Sequence, residues 1–324
     1  MGARGQAFEI TAEIVRRGLA CVALAALTGC TFARQVPDDD FRYPIAAPRY
    51  AASSGPRVAI DAFHGNFHTA DGRFGPFAQL LRDDGYRVAS IAAPLSAEAL
   101  AEVDVLVIAN ALARENRRRW RLPARDAFTA AEVTALRSWI EGGGALLLIA
   151  DHMPFPGAAE ALAAELGVFF TNGYARDASG NGHIVYTRED GTLRAHAITD
   201  GSDPSERIDS VKVFTGQAFR TAAEAGAEPL MVMPAGARVA LPSKPRKVTE
   251  RTPYVLAEGL YQGATLKIGD GRVAVFGEAA MFTAQLAITR KSRTAFGMSA
   301  EGAEDNPRFV LNVLHWLSSP VQRP

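Results

Sequence analysis

The sequence predicts an α/β fold with a doubly wound, mostly parallel sheet and a β-rich C-terminal extension. In the first half of the chain, short apolar runs alternate with amphipathic helical segments, as in successive β-α units. Two of these runs, DVLVIAN and ALLLIA, have the unbroken aliphatic character of strands buried on both faces. The second half replaces the helices by further short strands, which predicts the extension.

The composition is that of an ordinary globular protein. The chain has 324 residues, of which 48% are hydrophobic and 22% are charged. Lys and Arg together number 35, as do Asp and Glu, so no overall field attracts a polyanion. We therefore expect no nucleic acid partner.

The N-terminus has the features of a targeting segment. Arg16 and Arg17 precede an apolar run, 19–27, which is shorter than the roughly 20 residues of a membrane span. The run ends in LTGC, which resembles a bacterial lipobox, so residues 1–29 are predicted to be a lipoprotein signal peptide. Cys30 would then carry the lipid, and the protein would be exported and anchored to the bilayer of the bacterial envelope. A plain secretory signal or a buried helix is the alternative.

The only other cysteine, Cys21, would leave with the signal peptide. A mature chain without a second thiol has neither a disulfide nor a cysteine nucleophile. Residues 30–56 are rich in Pro, Asp, Ala and Ser and lack periodicity, which predicts a flexible tether. The folded domain is predicted over 57–320.

The first half of that domain has clear element signals. Thr129 and Glu132 have the spacing of a capping box, and Gly142 follows as a stop signal. The predicted strands are 57–63, 86–91, 104–110 and 145–150, and the predicted helices are 74–85, 129–141 and 158–166.

The second half is predicted to be mainly strands. Asp270-Gly271 separates two of them and predicts a type I′ hairpin, while residues 234–252 are a polar, Pro-rich excursion. A final amphipathic helix spans 307–317, with Pro307 in its first turn. The candidate strands are 183–187, 211–214, 230–233, 264–268 and 272–276.

The order of these segments carries a resemblance to a known superfamily. RVAIDAFHGNFH, DVLVIAN, FTAAEVTALRSWIEGGGALLLIADH and NPRFVLNVLHWL together resemble class I glutamine-amidotransferase-like proteins, and more narrowly their uncharacterised exported bacterial branch related to trehalose-utilisation proteins. The resemblance implies a flavodoxin-like, three-layer fold with ligands bound beyond the carboxyl ends of the strands. Amidotransferases place a G-x-C-x-G elbow where this chain continues Asp151-His152-Met153-Pro154. Glutaminase activity is therefore not carried over.

Three loops that follow predicted strands should meet at one rim. The first contributes the predicted catalytic His64 and the predicted ligand-binding Asp61 and Asn66, together with His68. Asn110 follows the third strand as a further ligand-binding candidate. Asp151 and His152, at the position of the superfamily nucleophile, are the other catalytic candidates.

These residues support two chemistries that their spacing does not separate. An Asp-His pair beside a second His activates water as a general base. Alternatively, His64, His68, Asp151 and His152 are candidate ligands of a divalent metal cofactor. Polar residues after buried strands also serve merely as caps and turn formers.

Glu278 follows the strand predicted at 272–276 and is a fourth catalytic candidate, although a Glu there also stabilises a helix N-terminus. Six arginines surround Trp120 in the segment 114–125. Trp120 is a candidate stacking surface for a ligand, and the arginines are either recognition groups for an anion or a solvated loop.

Two functions follow. The first is a membrane-anchored binding or accessory module of the cell envelope, without the nucleophile, for a small molecule such as a carbohydrate. The alternative is a hydrolase that uses an Asp/His site, with or without metal, on a sugar or amide substrate. The sequence leaves open which of the two applies.

Overall fold

A nine-stranded sheet forms the centre of the structure, a computed structural model that describes residues 34–319. In chain order, the strands of the described part are β1 (Arg34–Pro37), β2 (Arg57–Asp61), β3 (Arg87–Ile91), β4 (Val105–Ala109), β5 (Ala145–Ile149), β6 (Val168–Phe170), β7 (Tyr174–Arg176), β8 (Ile184–Thr187), β9 (Ser210–Val213), β10 (Phe219–Thr221), β11 (Glu228–Val232), β12 (Arg238–Ala240), β13 (Tyr254–Leu256), β14 (Tyr261–Ile268), β15 (Gly271–Phe276), β16 (Ala284–Ile288) and β17 (Arg293–Gly297). The helices are α1 (Gly75–Asp83), α2 (Ala97–Leu100), α3 (Ala130–Glu141), α4 (Phe155–Ala158), α5 (Glu160–Glu165), α6 (Ala197–Asp200) and α7 (Asn306–Ser318).

The strands of the central sheet follow the order β3-β2-β4-β5-β15-β14-β10-β6, and β11 also pairs with β14. Neighbours from β3 to β15 are parallel, whereas every pairing beyond β15 is antiparallel. The predicted α/β class, with a mostly parallel sheet and additional antiparallel strands, is confirmed.

Helices cover both faces of the parallel part. Because side chains alternate along a strand, Val105 and Val107 face one core with α1 and α7, whereas Leu106 and Ile108 face a second core with α2, α3 and α5. Each fully buried aliphatic side chain contributes about 1.5–3 kcal/mol to folding. Burial on both faces therefore explains the uninterrupted apolar runs of β4 and β5.

Helix α3 begins as its sequence predicts. The hydroxyl of Thr129 accepts a hydrogen bond from the Glu132 amide at 3.3 Å, and Glu132 Oε2 accepts one from the Thr129 amide at 2.9 Å. The helix ends at Gly142, and Gly143 follows with φ +108°. Glu132 is thereby held at a fixed position beside the end of β2.

The predicted tether is, from Arg34 onward, part of the fold. Strand β1 pairs antiparallel with β16, and the Tyr50 ring packs edge-on against Tyr86 at 5.1 Å between centroids. Phe41 and Tyr43 also pack against the core. These anchoring side chains are spaced irregularly, so a search for helical or strand periodicity does not detect them.

The hairpin between β14 and β15 is present, but its turn differs from the prediction. Gly269 and Asp270 form the two-residue loop, and Gly269 has φ +59° while Asp270 is not among the residues of positive φ. Positive φ at the first position alone fits type II′ rather than type I′. Strand β12 lies within the segment 234–252 that the sequence predicts to be a polar excursion.

Over residues 34–319, no helix is long and apolar enough to span a bilayer.

Candidate functional site

A cavity of about 270 Å³ lies where several strands of the central sheet end. Parallel strands present their carboxyl ends at one edge, so the residues after β4, β5 and β15 converge there. The structure brings together five of the predicted residues, Asn110, Asp151, His152, Glu278 and the metal-ligand candidate His68. The other lining residues are Gln35, Phe67, Phe155, His183, Phe214, Thr215, Ala280, Gln285 and Phe296.

Asn110 organises two neighbours in the cavity. Its Oδ1 accepts a hydrogen bond from the Asp151 amide at 2.8 Å, and its Nδ2 lies 3.1 Å from His68 Nδ1. Since an amide N–H can only donate, the oxygen of Asn110 must face Asp151 and the NH2 group must face His68. Asn110 has φ +58°, a strained value for a non-glycine residue that recurs at functional sites.

The hydrogen bond from Asn110 fixes the tautomer of His68. Because Nδ1 accepts, the ring proton resides on Nε2. Burial and, to a smaller extent, the nearby Arg73 and His152 lower the pKa of His68 to about 3, so the ring is neutral. Within residues 34–319, Nε2 has no hydrogen-bond partner, which leaves one N–H donor for a ligand.

His152 has the opposite tautomer. Its Nδ1 lies 2.8 Å from the Met153 carbonyl oxygen, which can only accept, so Nδ1 carries a proton. In its neutral form, the ring therefore holds its lone pair on Nε2, which has no partner in the described chain. The ring of Tyr174 stacks on His152 at 4.9 Å and fixes its plane.

Two acidic side chains share the cavity. Asp151 Oδ1 accepts a hydrogen bond from the His152 amide at 2.6 Å, and Oδ2 has no partner among the described residues. Glu278 is fully buried, and its oxygens accept hydrogen bonds from the amides of Ala280 and Met281 at 2.8 and 2.7 Å.

The environment of Glu278 favours its protonated form. Burial and, to a smaller extent, the nearby Asp151 raise the pKa of Glu278 to about 8, against the backbone amides that favour the charged form. Glu278 therefore carries a proton in most molecules at neutral pH. The cavity thus contains a proton donor beside a second acidic side chain.

Gln285 is a lining residue that the sequence analysis missed. Its Nε2 donates to Thr283 Oγ1 at 2.8 Å, while its Oε1 is buried without a hydrogen-bond partner in the described part of the chain. The signal that would have found it is one polar side chain in the otherwise apolar run AQLAI. His183 also lines the cavity; it is exposed and lies edge-on to Phe214 and Phe296.

His64 and Asp61 do not join this cavity. His64 Nδ1 lies 2.8 Å from Asp61 Oδ2, and Nε2 lies 2.9 Å from Glu132 Oε1. Both ring nitrogens of His64 are occupied, so neither is free to act as a base or a metal ligand, as predicted for this residue. The two carboxylate oxygens of Asp61 are also engaged, so its predicted contact with a ligand has no free atom in this arrangement. Burial lowers the pKa of His64, but its bonds to the two carboxylates outweigh this effect and raise it. The group is a buried ion pair that ties the end of β2 to α3.

The other predicted residues occupy different places. Trp120 lies outside the cavity lining, 5.8 Å from the His152 ring and 5.0 Å from that of Phe155. Both polar atoms of the Asn66 side chain are buried without partners in residues 34–319, away from the cavity lining. Cys30 lies outside the described residues.

The predicted metal ligands do not form a metal site in the described part of the chain. Among residues 34–319, no group of three or more His, Cys, Asp or Glu side chains is placed to hold a metal ion. The six arginines around Trp120 are exposed, and Arg117 donates to the Phe63 carbonyl at 2.8 Å.

Comparisons with known proteins define the fold alone. No family profile and no curated protein matches the chain. The mmIFT52 N-terminal domain matches with a TM-score of 0.55 and 14% identity, covering 83% of this chain and 100% of that domain. At this identity, the likeness shows a shared fold and carries no ligand or activity.

Other solved structures are less similar. Cytoplasmic protein STM1381 from Salmonella typhimurium LT2 has a TM-score of 0.47 and 14% identity over 81% of this chain and 99% of that one. A ThuA-like protein from Bacteroides uniformis has a TM-score of 0.43 and 13% identity over 85% of this chain and 94% of that one. Membership of the amidotransferase-like superfamily stays a prediction.

The ion pair of His64 predicts a pH-dependent stability. Since its folded pKa lies above the unfolded value of 6.5, the stabilisation is complete below pH 6.5 and is lost as pH rises through the folded pKa. His64→Gln should lower the free energy of unfolding by about 2–4 kcal/mol at pH 6 and by less at pH 9. Urea unfolding at both pH values measures the difference.

His183→Gln is the control, because that side chain is exposed. Its effect should be small at both pH values. A cost of His64→Gln that stays constant or grows with pH would contradict the ion pair.

Proposed function

We propose that this protein binds one small, hydroxyl-rich molecule, such as a carbohydrate, in the cavity at the strand ends. The observation that carries the proposal is the set of unpaired polar atoms on its walls. Asp151 Oδ2, His152 Nε2 and Gln285 Oε1 are acceptors, and His68 Nε2–H is a donor.

The excess of hydrogen-bond acceptors over donors on the cavity wall determines which class of ligand fits it. A wall with more acceptors than donors is complementary to a ligand rich in O–H or N–H donors. A buried polar group without a partner costs about 1–3 kcal/mol, so a ligand that pairs with several of them gains stability and specificity. At about 270 Å³, the cavity is smaller than the roughly 300–1,000 Å³ of drug-sized sites, which favours a single sugar ring.

The fold supports a binding role at this place. The five parallel strands have the sheet order 2-1-3-4-5 when numbered along the chain, which is the flavodoxin-like order. Ligands of such sheets lie beyond the carboxyl ends of the strands, near the point where the strand order reverses. Asp151 stands where the amidotransferase-like pattern has its cysteine, so we propose a domain without the nucleophile that acts as a binding or accessory module.

A second candidate function is hydrolysis of a glycoside or amide in the same cavity. It is favoured by the protonated state of Glu278 beside a second acidic side chain. Glu278 keeps its proton near neutral pH, and it shares the cavity with Asp151 and with the free lone pair of His152 Nε2. A group that keeps its proton beside a group that can accept one is typical of hydrolytic sites.

The proposed hydrolysis moves one proton to His152 and one from Glu278. Water transfers a proton to His152 Nε2 as its oxygen forms a bond to the electrophilic carbon of the substrate. The bond from that carbon to the leaving group breaks, and the leaving atom takes the proton of Glu278. Asp151 stabilises the resulting positive charge on His152, and proton return from His152 to Glu278 restores the site.

We also propose that the chain is exported and attached to the bacterial envelope through a lipid on Cys30. The support lies in the sequence: the basic pair Arg16 and Arg17, the short apolar run and LTGC at 27–30 are in the order that a lipoprotein signal requires. The lipid bilayer is then the partner of this anchor.

Binding is expected to depend on Asp151. In isothermal titration calorimetry with a panel of neutral mono- and disaccharides, at least one should bind the wild-type protein. Asp151→Asn should weaken that binding at least about tenfold, because an NH2 donor replaces an acceptor oxygen. Asp126→Asn, at an exposed carboxylate, is the control and should bind normally. Equal losses in both variants, or binding of no saccharide, would contradict the proposal.

Hydrolysis is expected to depend on the proton of Glu278. Glu278→Gln keeps an oxygen acceptor but loses the acid, so kcat/KM for nitrophenyl glycosides or anilides should fall by about 10²–10⁴. The wild-type rate should fall as pH rises through about 8, where Glu278 deprotonates. Glu160→Gln, at an exposed site, should keep full activity. Absence of turnover in the wild type, or an active Glu278→Gln variant, would leave binding as the function.

Lipid attachment is expected at Cys30 and not at Cys21. In a bacterial host fed labelled palmitate, the wild type should incorporate label and partition into membranes. Cys30→Ala should lose both properties, whereas Cys21→Ala, the matched control, should keep them. Labelling of the Cys30→Ala variant would exclude this anchor.

A further inference from the structure

Arg73 is a half-buried cation without a counter-ion. Its guanidinium Cζ lies 4.0 Å from the centroid of the Phe67 ring, and its Nε is buried without a hydrogen-bond partner. Within residues 34–319, no carboxylate forms an ion pair with it. Burying a charge is costly unless a partner of opposite charge compensates for it.

Arg246 is a second cation without a counter-ion and lies on a neighbouring ring, but its side chain is exposed. Its Cζ lies 3.9 Å from the centroid of the Trp120 ring, and it forms no ion pair with the described residues. The backbone is held at φ +66° with the amide donating to the Tyr174 hydroxyl at 2.7 Å. The hydrogen bond to the buried Tyr174 fixes the strained backbone of Arg246 and thereby orients its exposed side chain.

The two rings place the cations beside the cavity. Phe67 and Trp120 lie 5.5 Å apart, and both contact Phe155, at 5.5 and 5.0 Å. Phe67 and Phe155 line the cavity. Burial lowers the pKa of Arg73 and the charge of Arg246 lowers it further, as expected for two nearby cations that repel each other.

We infer that Arg73 and Arg246 bind an anionic group, a carboxylate or a phosphate, on the molecule that occupies the cavity. This inference rests on the proposed binding function and narrows its ligand to an acidic sugar or sugar phosphate. Guanidinium groups match the oxygens of both anions, and the aromatic rings beneath them keep the planar cations in position. An anion between them also removes their mutual repulsion.

The Arg-rich segment 114–125 is a weaker candidate for the same role. Its arginines are exposed and lie together on a surface of their own. Arg73 and Arg246 do not line the cavity either, but each packs on a ring that contacts the cavity residue Phe155. Arg118 lies in this segment and forms no ion pair in the described chain, so it serves as a matched control for a general electrostatic effect.

The test compares neutral and anionic probes. D-glucose, D-glucuronate, D-glucose 6-phosphate and inorganic phosphate are titrated into wild type, Arg73→Gln, Arg246→Gln and Arg118→Gln by calorimetry. Wild type should bind at least one anionic sugar at least tenfold more tightly than D-glucose. Arg73→Gln and Arg246→Gln should each lose that advantage, with binding of D-glucose unchanged, whereas Arg118→Gln should keep it.

The outcomes separate the two proposals. Equal affinity for neutral and anionic sugars, or an equal loss in Arg118→Gln, overturns the anion site and leaves the cavity proposal intact. Binding of inorganic phosphate that depends on Arg73 and Arg246, without binding of any sugar, supports the anion site and overturns the carbohydrate proposal. Failure of every probe, phosphate included, overturns both.

Discussion

The side-chain amide of Asn110 forms hydrogen bonds to two residues of the site, His68 and Asp151, and fixes their arrangement. Its oxygen can accept only from the Asp151 amide, and this choice directs its NH2 group to His68 and thereby places the His68 proton on Nε2. One side chain at the end of β4 thus sets the start of the loop after β5 and the donor pattern of a histidine that lies 42 residues earlier in the sequence. The strained backbone of Asn110 is the cost of bringing both partners within reach.

The two histidines in the loop after β2, His64 and His68, show how different surroundings give the same residue type different roles. His64 meets two carboxylates and becomes a buried ion pair, whereas His68, four residues later, meets an amide and stays neutral. The same residue type therefore stabilises the scaffold in one position and offers a hydrogen bond to the cavity in the other. The neutral ring of His68 presents a donor, whereas His152, in its neutral form, presents an acceptor.

Local patterns predict those parts of the fold that depend on local physics. Strands buried on both faces, the capping box of α3 and the polar residues after β4 and β5 all leave direct signals, so Asn110, Asp151 and His152 could be identified. The partner of His64 is Glu132, a distant residue already used as a helix cap, and no local pattern reveals that bond. Gln285 lies in the β-rich extension, where pairing over long sequence distances decides which side chains reach the cavity.

The first strand gives the cavity a mechanical property. Strand β1 is an edge strand held by β16 alone in its sheet, and each of the two strands contributes a glutamine, Gln35 and Gln285, to the cavity wall. Tension on the N-terminal segment would peel β1 away and open that wall. A bound ligand in contact with both strands resists such peeling by RT ln(1 + [L]/Kd), so occupancy of the cavity and attachment of the N-terminal segment reinforce each other.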